Sequence, residues 1–245
     1  LFTQDMTLIA DGNSTLEHNI PQNVLYEDVL SFFSQTKTAY TPTLVVTYGG
    51  LAADPYWRYA TDVWLHPILS KHVPPHILQP NNVRRTKAPD EDFVDQYNAR
   101  EAKKLADAKN LICLPGHNYI YEASMNRTKE LVDGGVLVSI GAHGQEEGLG
   151  SHWEMWSFVK GGMTPLEALK AATVTPATAL GYIKDIGTIE EGKLADLVIL
   201  NANPLDDIGN TDEIDEVMLN GRLYDAATMN EVATGTRKKA KYYWE

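Results

Sequence analysis

Apolar residues recur at helical spacing between Val24 and Gln35. Leu25, Val29 and Phe33 share one side while Glu27 and Asp28 lie between them, which predicts an amphipathic helix. The period changes from Ala39 to Thr47 (AYTPTLVVT), a short, β-branched run with a continuous apolar half. It predicts a strand buried on both faces and ended by Gly49 and Gly50. From Leu51 to Pro89 the prolines Pro55, Pro67, Pro74, Pro75, Pro80 and Pro89 interrupt Tyr56, Trp57, Tyr59 and Trp64, and this weak periodicity predicts a lid or binding loop. Regular pattern resumes at Asp90. An acidic first turn leads into Phe93, Tyr97 and Leu105, with Lys103 and Lys104 near the negative end of the predicted helix.

A further helix is expected from Glu122 to Val132, stopped by Gly134 and Gly135, after which Val136 to Ile140 (VLVSI) reads as a second buried strand. Helix, glycine break and strand in that order belong to a parallel α/β fold. Trp153, Trp156 and Val159 then share a helix face ended by Gly161 and Gly162. TPLE at Thr164 to Glu167 combines a capping box with Pro165 at the first helical position. Thr175 and Pro176 predict the next helix start in the same way, with Gly181 as its stop. Beyond Gly187 the chain changes character. Ala195 to Leu200 (ADLVIL) and Val217 to Tyr224 read as strands, and Asn220 and Gly221 form a two-residue hairpin signal. Gly187 to Tyr224 is thus expected to be a small β module, and Arg237 to Glu245 a solvated or docked tail.

Composition narrows the functional classes. The 245 residues are 43% hydrophobic and 22% charged, enough to bury a core and too balanced for a disordered chain. Against 33 Asp and Glu stand 21 Lys and Arg, a net charge of -12 that argues against tracking nucleic-acid phosphates. The single cysteine, Cys113, excludes an intramolecular disulfide and a thiolate zinc cluster, so a metal site must use histidine and carboxylate ligands. In LICLPG it reads as a small core residue. No apolar run approaches the roughly 20 residues that span a bilayer, so no membrane partner is expected. The start at Leu1 lacks an initiator Met and a signal peptide, and the chain is expected to begin inside a larger gene product.

Two of the seven histidines follow short apolar segments: His18 in STLEHNIP and His143 in IGAHGQ. Where parallel strands form a barrel, side chains at their C-terminal ends converge on one site, so residues distant in sequence can share a metal. A neutral imidazole is a good zinc ligand, and bound zinc makes hydroxide available near neutral pH.

The C-terminal half resembles the amidohydrolase superfamily, nearest its imidazolonepropionase-like and prolidase-like members. GMTPLEALKAATVTPATALGYIKDIGTIEEGKLADLVILNANP, from Gly162 to Pro204, carries the most specific likeness. TLEHNIP around His18, TPTLVV at Thr41 to Val46 and NGRLYD at Asn220 to Asp225 extend it over most of the chain. The resemblance implies a metal-dependent hydrolase built on a TIM-like (β/α)8 barrel with a small composite β-sandwich, using a divalent metal: zinc first, with manganese or iron as alternatives. In its register His18 is the sixth-strand histidine, TPTLVV the seventh strand and VLVSIGAHG the eighth. The first strands, and most metal ligands with them, would precede this chain. Residues 1–186 are then a partial barrel with an insertion at 51–89, residues 187–228 the β module and residues 229–245 the tail. The missing N-terminal half, or a second copy of the chain, is the expected partner beside a small-molecule substrate.

The family's eighth strand normally ends in an aspartate that touches the metal and takes the proton from water. Gly141, Ala142 and His143 stand there instead. His143 is therefore a candidate both as metal ligand and as proton acceptor, beside His18 as ligand. Tyr48, after the seventh strand, and His152, in GSHWEMW, are the substrate-contact candidates, with Tyr56 and Trp57 as further lining or packing residues. The blander reading makes His18 a half-buried histidine bonded to backbone and His143 a turn residue satisfying local hydrogen bonds. His66, His72 and His76 read as surface or lid residues, and His117 as an exposed polar residue. Asp196 falls in the β module and reads as structural, and Glu17 points away from His18 by strand alternation.

Two functions follow from different classes. One is a metal-dependent amidohydrolase that cleaves an amide, cyclic amide or dipeptide-like C–N bond, this chain being a fragment that is weakly active or inactive alone. The other is a non-catalytic scaffold or binding member that has lost the metal-activating aspartate.

Overall fold

The computed structural model describes residues 2–20, 25–46, 57, 61–74, 78, 119–144 and 146–242. An opening helix, α1 (Phe2–Ala10), leads into a strand, β1 (Thr15–Glu17), and a second helix, α2 (Glu27–Ser34), leads into β2 (Ala39–Thr41). The α2 pattern behaves as its spacing predicts: Phe33 and Leu25 are buried, and Glu27 and Asp28 occupy the first turn, where carboxylates suit the helix's positive end.

β1 and β2 pair in parallel, with Thr15 opposite Ala39, Leu16 opposite Tyr40 and Glu17 opposite Thr41. The segment 136–140 adds to the other edge of β2. Tyr40 N–H donates to Leu137 O and Ser139 N–H to Tyr40 O, each at 2.9 Å, and Val138 forms a parallel bridge with Tyr40. VLVSI is thus a single bridge rather than the extended strand its pattern predicts. β2 is also shorter than expected. Pro42 has no N–H to donate, Thr43 turns to φ 52, and Leu44–Val46 coil into a 3-10 turn instead of continuing the strand.

A short helix, α3 (Leu69–His72), precedes a long one, α4 (Tyr119–Asp133), and α5 (Gly150–Lys160) follows. Trp153, Glu154, Met155, Ser157 and Phe158 of α5 are all buried, so this helix is a central strut rather than a surface one. It packs with Leu16, Phe33, Tyr40, Met125, Leu131 and Val138 in the main core through Met155 and Phe158. Val45, Val63, Leu149 and Trp153 form a second cluster. Val63 lies in the Pro-rich stretch, so at least this part of the expected lid is packed core.

α6 (Pro165–Ala172) starts on the predicted capping box: Glu167 N–H donates to Thr164 Oγ1 at 3.2 Å and Thr164 N–H to Glu167 Oε2 at 2.7 Å. The next helix, α7 (Val174–Ala179), departs from expectation. It begins at Val174, ahead of Thr175 and Pro176, and its N-cap Thr173 makes no capping bond because its hydroxyl donates back to Leu169 O at 2.7 Å.

β3 (Leu197–Leu200), β4 (Ile214–Leu219) and β5 (Arg222–Asp225) follow as an antiparallel sheet. Asn220 (φ 49) and Gly221 (φ 73) both take the left-handed conformation, as a type I′ hairpin between β4 and β5 requires. No residue of these three strands is fully buried, and Val198 and Leu219 are 58% and 61% exposed. The described part of the tail is docked: Glu231 bridges Tyr224, and Tyr242 OH donates to Met229 Sδ at 3.3 Å.

Candidate active site

Three parallel segments reach their C-terminal ends side by side, with β2 in the middle. His18 follows β1 directly, and His143 follows the 136–140 segment by way of Gly141 and Ala142. Across the end of β2 the two imidazoles meet edge to face, with centroids 5.0 Å apart and planes at 74°. Both are exposed. Both also take left-handed backbone conformations, φ 73 at His18 and φ 54 at His143. A non-glycine residue there costs about 1–3 kcal/mol, and such strain gathers where function holds a side chain in place.

The surrounding chain fixes this arrangement. His18 N–H donates to Thr41 O at 2.8 Å. Two residues on, Ile20 N–H donates to Tyr40 OH at 3.2 Å and Ile20 O accepts from Arg127 at 3.1 Å. Tyr40 is buried, which drives its hydroxyl well above the ordinary tyrosine range, so it stays protonated and donates to Asn19 Oδ1 at 3.3 Å. Burial lowers the pKa of Arg127 without making it neutral. On the other side, a Cβ at Gly141 would fall 2.4 Å from Thr41 Cγ2 and 3.1 Å from Thr43 Cγ2, so the approach to His143 requires glycine.

Glu154, on α5, is fully buried. Its Oε1 accepts from Leu44 N–H at 2.8 Å and its Oε2 from Val45 N–H at 3.0 Å, holding the turn that follows β2. Burial pushes this carboxyl up to about 8, outweighing the two amide donors that favour its charged form. Neither Tyr40, Arg127 nor Glu154 stood out in the sequence. Each bonds to backbone far away along the chain, and only the apolar context of Glu154 in HWEMWSF was a signal.

The other candidates fall elsewhere. His152 lies on α5 and lines a cavity together with His66 and His72, and neither His18 nor His143 lines it. Burial, and next to it the charge of His66, lower the His152 pKa. Tyr48, Tyr56, His76, His117 and Cys113 lie outside the described residues. Trp57 packs edge-on against Trp156 at 5.5 Å under Lys160. Glu17 is exposed, and Asp196 Oδ1 accepts from Asn220 N–H at 2.6 Å within the β module.

A family model described as the Amidohydrolase family matches residues 68–224, well over half of the chain. The chain belongs to the amidohydrolase family. An imidazolonepropionase from Symbiobacterium thermophilum is 33% identical over 104 residues, 40% of this chain and 24% of that protein. An ochratoxinase from Aspergillus niger is 36% identical over 78 residues, 31% of this chain and 16% of that protein. Among solved structures, a Xaa-Pro dipeptidase with bound methionine in the active site matches with a TM-score of 0.53 at 20% identity, covering 90% of this chain and 42% of that one. These likenesses place the mixed α/β body in a TIM-barrel-type fold. The amidohydrolase chain described here spans about a quarter or less of the length of these two curated relatives.

Amidohydrolase family members typically bind divalent metals. Two facing imidazoles fit that chemistry as two donors of a set. Among the described residues, no group of three or more His, Cys, Asp or Glu side chains is placed to hold a metal ion.

Proposed function

We propose that this chain is the C-terminal part of a metal-dependent amidohydrolase that hydrolyses a C–N bond in an amide, cyclic amide or dipeptide-like substrate. The His18–His143 pair carries the reading: two strained residues that follow the segments on either side of β2, with ring centroids 5.0 Å apart. The activities named for its relatives, imidazolonepropionase, ochratoxinase and Xaa-Pro dipeptidase, support the bond type. His18 holds the divalent metal, zinc first with manganese or iron as alternatives. His143 stands where the family resemblance assigns an aspartate, either as a second ligand or as the imidazole that accepts the proton of the attacking water and returns it to the leaving nitrogen. The metal, when bound, supplies Lewis-acid polarisation of the scissile carbonyl.

The remaining ligands come from the N-terminal half of the barrel or from a partner copy. The unburied β3–β5 sheet supports this reading, since it leaves Val198 and Leu219 in solvent where strands of a composite sandwich would cover them. The isolated chain is accordingly weakly active or inactive.

Metal content tests the proposal. After equilibration with zinc and gel filtration, the chain should retain metal that His18→Ala and His143→Ala variants, folded by circular dichroism, both lose. Retention unchanged in both variants would overturn the pair as ligands. Loss only in His18→Ala would assign His143 the proton-accepting role. The second reading, a non-catalytic scaffold, draws on Gly-Ala-His standing in the aspartate position. A histidine-X-histidine motif after a strand upstream in the gene favours the enzyme, and its absence favours the scaffold.

A further inference from the structure

We propose that Glu154 is a positioning residue for the histidine pair: from α5 it fixes the segment 41–45, against which the approaches to both His18 and His143 are set. The inference deepens the proposed metal-binding role of the pair and rests on that reading for its zinc arm.

One stretch of chain touches both arms of the pair. Thr41 O accepts from His18 N–H at 2.8 Å. On the other side, Thr41 Cγ2 and Thr43 Cγ2 crowd Gly141, two residues before His143. A displacement of this stretch therefore moves the support of both imidazoles. The stretch does not hold itself in place. Thr43, at φ 52, is a β-branched residue in the left-handed region, a conformation that persists only where its surroundings over-determine it. Leu44 and Val45, which follow, are buried, so their N–H groups need protein acceptors. Glu154 supplies both, Oε1 at 2.8 Å and Oε2 at 3.0 Å, across more than a hundred residues of sequence.

The choice of side chain follows from this task. A carboxylate offers two acceptor oxygens to two successive amides, whereas glutamine offers one acceptor and one donor. The helix that carries Glu154 is itself fixed, because Trp153, Met155 and Phe158 are buried in the two clusters of the core. The same helix also meets the second arm directly. A Cβ at Gly150, its first residue, would fall 2.9 Å from Ala142 Cβ, next to His143. Both arms are thus referred to one rigid element, the condition under which two ligands keep a fixed separation.

The test compares Glu154→Ala and Glu154→Gln with Met125→Ala in the 245-residue chain, each at a temperature where it is folded by circular dichroism. Met125 is buried against Gly161, beyond the far end of α5, so its truncation destabilises the same core without touching segment 41–45. Without metal, wild type should show a nuclear Overhauser cross-peak between the His18 and His143 rings. Glu154→Ala should lose it, Glu154→Gln should keep it weakened, and Met125→Ala should keep it in full. Zinc affinity read from the two imidazoles should fall about tenfold or more in Glu154→Ala, the scale at which outer supports of metal ligands act. Glu154→Gln should recover part of that loss, and Met125→Ala should bind as wild type does. A cross-peak unchanged in Glu154→Ala, or lost equally in Met125→Ala, would overturn the proposal. If Glu154→Ala fails to fold, Glu154→Gln against Met125→Ala carries the test, and equal cross-peaks in the two would overturn it. Failure of wild type to bind zinc at the pair would instead overturn the ligand reading, with the cross-peak still deciding the role of Glu154.

Discussion

The two sheets of this chain solve opposite problems. The parallel segments around β2 bury Leu16, Ala39, Tyr40 and Val138, yet end in two strained, exposed histidines. The antiparallel β3–β5 sheet buries none of its residues fully, and its hairpin takes the conformation its Asn-Gly sequence prefers. Strain therefore sits where a deep core and distant polar anchors can sustain it, while the relaxed sheet rests on local preference. Substitutions near the histidine pair should consequently act over long range, and those in the β module locally.

The largest effect is expected at Glu154. Glu154→Ala removes the carboxylate acceptors of the Leu44 and Val45 amides, a loss of about 3 kcal/mol measured by chemical denaturation. Glu154→Gln keeps one acceptor but turns a donor toward the other amide, so it should fall between Ala and wild type. The pH dependence has a definite sign. The folded carboxyl titrates near 8, above its ordinary value of 4.5. The native state therefore binds more protons between those values, and the stability contributed by the raised pKa is complete below about 4.5 and lost as pH rises through about 8. Glu154→Gln should remove that slope. A flat wild-type profile between pH 5 and 8.5 would contradict the buried, titrating carboxyl.

Gly141→Ala should come next, at about 1–3 kcal/mol, because its Cβ would meet Thr41 Cγ2. Thr41→Ser removes that methyl group and should recover part of the loss in the double variant, though Thr43 Cγ2 remains near. Simple additivity of the two changes would contradict the close contact. Thr164→Ala, which removes the α6 cap, should cost about 1 kcal/mol in thermal or chemical unfolding. Asp196→Ala, in the β module, should lose only the bond to Asn220 N–H, at or below about 1 kcal/mol, and should leave the metal retention of the histidine pair unchanged. A larger loss at Asp196 than at Glu154 would invert the contrast between the two sheets.

Local signals were legible in the sequence. The Thr164–Glu167 capping box, the α2 face and the Asn220–Gly221 turn depend on neighbours within a few positions, and each forms as its pattern predicts. What was not legible depends on distant residues. Leu44 and Val45 look like strand because nothing near them reveals that Glu154 takes their N–H groups. Thr173 fails as a cap because its hydroxyl turns back to Leu169. The site divided along the same line. The positions of His18 and His143 after apolar segments pointed to a shared place, but the Tyr40 and Arg127 anchors on Ile20 appear only once the chain is folded. His66 and His72 read as surface residues because the Pro-rich stretch has no periodicity to mark a cavity wall.

On the proposed reading in which both imidazoles are ligands, His18 and His143 act as one metal-binding unit. The most direct test is zinc titration of the chain followed by the imidazole nitrogen resonances of all seven histidines. His18 and His143 should move together and saturate at the same zinc ratio, while His72 and His152 stay in place. Zinc that shifts neither of the pair, or that shifts His66, His72 and His152 instead, would contradict it.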